Sequence, residues 1–306
     1  MEIYLAKTQG FCAGVSFAIN IVKEALKKYG SPLYVYHEIV HNTFVVNDFK
    51  DQGVIFVDEI NLVPKGERII LSAHGVPPSV IEEALARDLK VIDATCPLVA
   101  RVHAQAVKYS KENINTILIG HKGHQEIIGT AGYVKEELLH IVENKDDVDC
   151  LSVDENLEVA FITQTTLSVD DTKAMIDKLK KKYSKLIIPS RSDLCYATQS
   201  RQDAVKELAK ICDVIIICGS KNSSNSNRLC ETGIRAGVAS SLVDSKDELD
   251  VSILEGKNKV GVSSGASVPR DIVDGLVERI SQKYSGSVVY ASENPENNIV
   301  FKLPKI

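Results

Sequence analysis

The chain has 306 residues, 44% hydrophobic and 25% charged, which allows two or three domains whose cores need no disulfide or metal staples. A formal net charge of −5 argues against a broad electrostatic grip on nucleic acid. No apolar run approaches the roughly 18 residues of a membrane helix, and the opening MEIYLAKTQG lacks a basic-then-apolar signal pattern, so a cytoplasmic protein with no membrane partner is expected.

A strand predicted over 3–6 leads through GFCAG (10–14) into a helix over 14–29. That helix is apolar at Val15, Ala18, Ile19, Val22, Ala25 and Leu26, and Gly30 is placed to end it. Strands follow at 33–37, 54–57 and 68–73, then a helix over 78–87 that opens on proline, then a strand at 91–94. DATCP (93–97) opens a helix over 98–111. Next come strands at 116–119 and 159–163, a helix over 169–182, a short strand at 186–188 and a helix over 198–210. The last predicted elements are a strand at 214–218, a helix over 225–236, a strand at 260–263 and a helix over 269–282. Most strands are continuous β-branched runs, as befits strands covered on both faces, and the βαβα rhythm predicts parallel α/β sheets. After 285 the helical period is lost, and this tail is expected to lie across another part of the molecule.

Three polar segments place a cysteine at a helix start: Cys12, Cys96 and Cys195. Polar clusters follow at similar spacing: Cys12 to His41 is 29 residues, and Cys96 to His124 and Cys195 to Ser223 are 28 each. A second set, SAHG (72–75), TQTT (163–166) and SSGAS (263–267), brings His74, Thr165 and Ser267 to 62, 69 and 72 residues past the same cysteines. This predicts three similar α/β units, 1–95, 96–194 and 195–284, followed by a tail over 285–306. Ligands of open parallel sheets bind beyond the carboxyl ends of the strands, so three such units can point their cysteines and polar loops at a common centre.

The seven cysteines include no CxxC pair, which counts against a zinc ribbon or thioredoxin-type motif. Three thiolates with a vacant coordination position suit a soft metal centre, either zinc or an iron–sulfur cluster with one open iron. Cys212 and Cys218 read as buried core thiols, the commoner fate of a cysteine, and Cys150 and Cys230 have no motif around them.

Taken together, GFCAGV (10–15), HEIVHN (37–42), SAHGVP (72–77), DATCPLV (93–99), GHKGHQEIIGT (120–130), TQTTLSVDDT (163–172) and GSKNSSNSNRL (219–229) resemble the 4-hydroxy-3-methylbut-2-enyl diphosphate reductase family. These iron–sulfur oxidoreductases end the non-mevalonate isoprenoid pathway. The likeness runs from near residue 1 to the end, although Thr8-Gln9 stands where a basic residue is expected. It implies a pseudo-threefold α/β fold around one [4Fe–4S] cluster held by Cys12, Cys96 and Cys195, with one iron open to the substrate hydroxyl. It also implies a two-electron, two-proton removal of that hydroxyl as water, yielding isopentenyl and dimethylallyl diphosphate, with ferredoxin or flavodoxin as electron donor.

Hydroxide leaves poorly, so a proton donor is required; Glu126 is favoured, with burial near anionic groups raising its pKa. A carboxylate settled on a helix dipole is the plainer alternative. Thr165 is expected to complete the hydrogen bonds at the hydroxyl, with Gln164 and Thr166 beside it, although Thr166 alone could be a helix cap. His41, His74, His124, Ser223, Ser224, Asn225 and Ser267 are expected to hold the diphosphate, helped by strand-to-helix amides. The run over 223–227 could instead be only a turn and cap. Asn42 reads as structural, and His37, His103, His121 and His140 as non-functional. Two other classes compete: a redox-neutral dehydratase of quinolinate-synthase type, and an iron–sulfur electron carrier. The first favours Arg or Lys at its centre, and the second favours a fourth cysteine.

Overall fold

The computed structural model describes residues 1–290, 299–304 and 306. In chain order the first elements are β1 (Glu2–Leu5), α1 (Ala13–Tyr29), β2 (Leu33–Tyr36), α2 (Thr43–Asp51), β3 (Val54–Val57), β4 (Arg68–Leu71), α3 (Pro78–Ala86) and β5 (Lys90–Asp93). There follow α4 (Pro97–Lys111), β6 (Asn115–Ile119), α5 (Gln125–Ala131), β7 (Leu139–Val142), α6 (Lys145–Asp149), β8 (Val159–Thr163), α7 (Val169–Lys182) and β9 (Leu186–Ile187). The last are α8 (Tyr196–Ala209), β10 (Val214–Cys218), α9 (Ser224–Arg235), β11 (Ala239–Val243), β12 (Lys259–Ser264), α10 (Arg270–Tyr284) and β13 (Ser287–Tyr290).

These strands make three parallel sheets with one recurring order: β3-β2-β4-β5, β7-β6-β8-β9 and β11-β10-β12-β1, the last extended by β13. Inner strands are mostly apolar because helices cover both faces; every residue of β8 and β10 is buried. Fully burying each Val, Ile or Leu contributes about 1.5–3 kcal/mol.

The sheets also match in register. The last inner-strand pairs are Tyr36–Leu71, Ile119–Thr163 and Cys218–Ser264. The next amide of the first inner strand bonds to an edge-strand valine each time: His37 N to Val57 O, Gly120 N to Val142 O and Gly219 N to Val243 O, at 2.8–2.9 Å. Counted from these pairs, His41, His124 and Ser223 hold equivalent positions, and so do His74, Thr166 and Ser267.

The phase of the repeat differs from the spacing counted forward from each cysteine. Each cysteine follows the fourth strand of a sheet whose polar loops precede it in the chain: Cys96 follows β5 and Cys195 follows β9. The third sheet takes its fourth strand, β1, and with it Cys12, from the start of the chain. Sequence spacing measures distance along the chain, and a pairing of Ile3 with Val260 leaves no mark on it.

By contacts the chain forms two compact units. One comprises Met1–Ser16, His41–Asp48 and Tyr196–Phe301 and contains the β1/β10–β13 sheet. The other comprises Phe17–Val40, Phe49–Cys195 and Lys302–Ile306 and contains the other two sheets. The predicted tail contributes β13 beside β1, and Lys28 donates to the Ile306 carbonyl, while 291–298 and 305 lie outside the described residues. Among the described residues no helix is long and apolar enough to cross a membrane.

Candidate functional site

Cys12, Cys96 and Cys195 each stand immediately before a helix, α1, α4 and α8 respectively. Each cysteine amide bonds to the carbonyl two residues beyond the last inner-strand pair of its sheet. Cys96 N reaches Ala73 O at 3.0 Å, Cys195 N reaches Thr165 O at 3.0 Å, and Cys12 N reaches Ala266 O at 3.1 Å. The next residue in each loop is His74, Thr166 or Ser267. One backbone hydrogen bond in each sheet thus ties a cysteine to the residue just before His74, Thr166 or Ser267.

The thiols differ in surroundings. None of the seven cysteines is in a disulfide. Cys212 and Cys218 are buried, which pushes their thiols up to about 12 and leaves them protonated. Cys12, Cys96 and Cys195 are half-buried at helix starts. Val15 N donates to Cys12 Sγ at 3.4 Å from the first turn of α1. Among the described residues, no three His, Cys, Asp or Glu side chains are grouped closely enough for one bare ion. A cluster sets a different requirement from a bare ion, because its cysteines bind different irons, and in donor chemistry a half-buried thiol at a helix start is of the kind that would hold one.

The second unit holds the acid–base geometry. Glu126 lies in the first turn of α5 and is 2% exposed. Thr165 N donates to its Oε1 at 2.6 Å and Thr165 Oγ1 to its Oε2 at 2.9 Å. Burial raises the Glu126 pKa to about 7, the Thr165 bonds oppose the rise, and Asp193 adds to it. The carboxyl is directed at Thr165 while it stands in the first turn of its own helix. His124 caps α5: its Nδ1 accepts from Glu126 N at 3.1 Å, which puts the proton of the neutral ring on Nε2. The His74 and His124 rings meet edge to face, 5.9 Å between centroids. Gln164 joins the two loops of this sheet, its Oε1 accepting from His121 N and its Nε2 donating to Thr166 Oγ1. Ser168, not Thr166, caps α7.

In the other unit, Ser223 caps α9, its Oγ accepting from Ser226 N at 3.3 Å and from Ser226 Oγ at 3.0 Å, which leaves its own O–H to donate elsewhere. Ser224 is half-buried and opens α9. Asn225 is 6% exposed, and neither its Oδ1 nor its Nδ2 has a hydrogen-bond partner. A buried amide left so costs about 1–3 kcal/mol. Ser267 Oγ donates to His41 O at 2.9 Å, so the Ser267 hydroxyl also holds the His41 loop. Asn42 caps α2 by accepting from Val45 N at 3.0 Å, the structural role read from the sequence.

The remaining histidines have local partners. His37 pairs with Asp58 and His140 with Asn115, while buried His103 is pushed down to about 4 and stacks on Tyr133. Sequence reasoning passed over Asp193. It is 3% exposed, accepts from Thr163 N at 3.2 Å, and burial raises its pKa to about 6. Its one available signal was an acidic residue two places before a candidate cysteine.

The LytB protein family matches over residues 3–281. The whole chain is 49% identical to a 4-hydroxy-3-methylbut-2-enyl diphosphate reductase of Acinetobacter baylyi, covering 97% of that protein. It is 48% identical to one of Xylella fastidiosa, covering 98% of it. A solved E-1-hydroxy-2-methyl-but-2-enyl-4-diphosphate reductase from Plasmodium falciparum superposes with a TM-score of 0.94 at 38% identity, covering 99% of this chain and 95% of that one. A second structure, described as (E)-4-hydroxy-3-methyl-but-2-enyl diphosphate reductase, the terminal enzyme of the non-mevalonate pathway, gives 0.64 at 33% identity, covering 92% of this chain and 100% of that one.

Proposed function

The chain belongs to the LytB protein family, and from that membership we infer an oxidoreductase that reductively removes the hydroxyl of (E)-4-hydroxy-3-methylbut-2-enyl diphosphate. The products are isopentenyl and dimethylallyl diphosphate, at the last step of the non-mevalonate pathway. The C–O bond breaks, two electrons and two protons enter, and the oxygen leaves as water. Neither the dehydratase nor the electron-carrier reading finds support among these relatives.

The family uses an iron–sulfur cluster. We propose that here it is one [4Fe–4S] cluster held by Cys12, Cys96 and Cys195; when bound it supplies the electrons and a Lewis-acidic iron for the substrate oxygen. The chain's own residues supply the proton and the grip. Glu126, its pKa raised by burial to about 7, keeps a proton in about half the molecules at neutral pH, where an ordinary glutamate has lost it. With Oε1 accepting from the Thr165 amide, the proton belongs on Oε2; in that form Oε2–H donates to Thr165 Oγ1, the reverse of the bond made to the carboxylate, and the Thr165 O–H is freed to donate toward the leaving hydroxyl. The diphosphate is assigned to His41, His74, His124, Thr166, Ser223, Ser224, Asn225 and Ser267, with Asn225 able to supply an amide not otherwise engaged in the protein. His124 donates through Nε2 as a neutral ring, since protonation would displace its cap to Glu126 N. A ferredoxin or flavodoxin is the proposed electron donor, and the cytoplasm the proposed location.

The observation that carries this reading is the buried, proton-holding Glu126 bound at both oxygens by Thr165. Its test is anaerobic assay of the iron-loaded protein with reduced methyl viologen and the hydroxylated diphosphate. Oxidation of the dye coupled to formation of both products is expected; loss of water without dye oxidation would sink it. Serine at position 12, 96 or 195 should empty most of the iron, whereas serine at 150 or 230 should not; unchanged iron in any of the first three removes that cysteine from the ligand set.

A further inference from the structure

Arg201 is the largest fully buried side chain among the described residues, at 0% exposed. It lies in the second turn of α8, where the sequence alone reads as an ordinary helix face. Its guanidinium donates from Nη2 to Gly10 O at 2.8 Å and from Nη1 to Ala197 O at 3.1 Å. Gly10 stands two residues before Cys12, and Ala197 two residues after Cys195. One buried cation therefore fixes the backbone beside two of the three proposed cluster thiols.

The segment it holds has little other regular structure. Gly10 takes a positive φ of 75°, open to glycine and strained for other residues, and its amide reaches Ser264 Oγ at a long 3.4 Å. The Gly10 carbonyl bond to Arg201 is the short one. From there the chain runs to the Cys12 amide on Ala266 O and to Cys12 Sγ, which accepts from Val15 N. A planar guanidinium spans two carbonyls in fixed geometry, which a lysine ammonium on a flexible stem does less well. Burying such a cation is costly unless it is well hydrogen-bonded, so its place here calls for a role.

We infer that Arg201 is a positioning residue for the cluster, holding the Cys12 loop against the first turn of α8 so that the sulfur is set before iron binds. This rests on the cluster assignment above, and the experiment separates the two. Full-length wild type, Arg201→Lys and Arg201→Met are prepared anaerobically. The metal-free chains are alkylated with iodoacetamide, each cysteine being followed separately by peptide mass. The Met variant should alkylate several-fold faster at Cys12 with Cys96 unchanged, and the Lys variant should fall between. After iron and sulfide loading, the EPR spectrum of the reduced cluster should change in the Met variant and return toward wild type with Lys. Equal acceleration at Cys12 and Cys96, or none at either, overturns the inference, as does an unaltered spectrum in a fully loaded Met variant. Should the Met variant not fold, the same Cys12-to-Cys96 comparison in the Lys variant decides. A wild type that takes up no cluster overturns the cluster assignment instead, and the alkylation ratio still judges Arg201.

Discussion

At the residue scale, Glu126 joins stability to turnover through one proton. Its pKa is raised to about 7, above an unfolded value near 4.5, so the folded state binds the proton more tightly. The stabilising contribution is complete below about pH 4.5 and is lost as pH rises through about 7. Asp193, raised to about 6, works in the same direction. Glu126→Gln keeps a neutral group of the same shape, and the fall in unfolding free energy between pH 5 and 7.5 should become shallower, as read by urea titration. Turnover by that variant should drop about 100-fold or more while iron content stays, the usual scale for a lost general acid. In wild type, kcat should decline above about pH 7 as the proton leaves. A Gln variant with near-normal kcat would remove Glu126 as donor.

At the element scale, helix starts and strand ends pair stability against function in opposite directions. The Asn225 amide at the start of α9 is buried without partners. Asn225→Leu should leave the melting temperature equal or higher, because it deletes an unsatisfied polar group. Pyrophosphate affinity should nevertheless fall, measurable by calorimetry; loss of both together would mean a structural asparagine. Gly75 shows the converse. It has φ +74°, and a Cβ there would run into the His103 ring on α4, which lies beneath the His74 loop. Gly75→Ala should therefore cost about 1–3 kcal/mol in urea unfolding and raise KM by shifting His74 against His124. The cysteines, histidines and hydroxyls at these ends were legible in the sequence, since their chemistry selects residue types that stand out from apolar strands. The short α2, α5 and α6 were not, because five to nine residues give too few turns for a period, and none of them opens on a proline as the equally short α3 does. Nor were the edge strands β7 and β11, whose half-exposed residues lack a continuous buried run.

At the scale of the whole molecule, three sheets share one strand order, but the chain enters the cycle one strand late, and β1 completes the sheet of β10, β11 and β12. The threefold count of cysteines and loops was legible; the phase was not, because only pairing in space reveals which sheet owns Cys12. Arg201 was equally hidden, since a single arginine within a helix carries no sign of burial. The late entry gives the two chain ends unequal weight. Ile3 and Leu5 are buried in one core with Val214, Ile216, Val260 and Val262, and β1 lies between β12 and β13. Removing residues 1–6 strips the core side chains of Ile3 and Leu5, about 1.5–3 kcal/mol each, together with buried Ala6 and a central ladder, against a total stability of only about 5–15 kcal/mol. That truncation should lose cooperative unfolding of the β1/β10–β13 sheet and bind little iron. Removing 302–306 gives up mainly surface contacts such as Lys28 to Ile306, and should keep the melting temperature and iron of the full chain. Circular dichroism melts with iron counts on the two truncations decide it; equal losses would mean that β1 is not the structural keystone its pairing makes it.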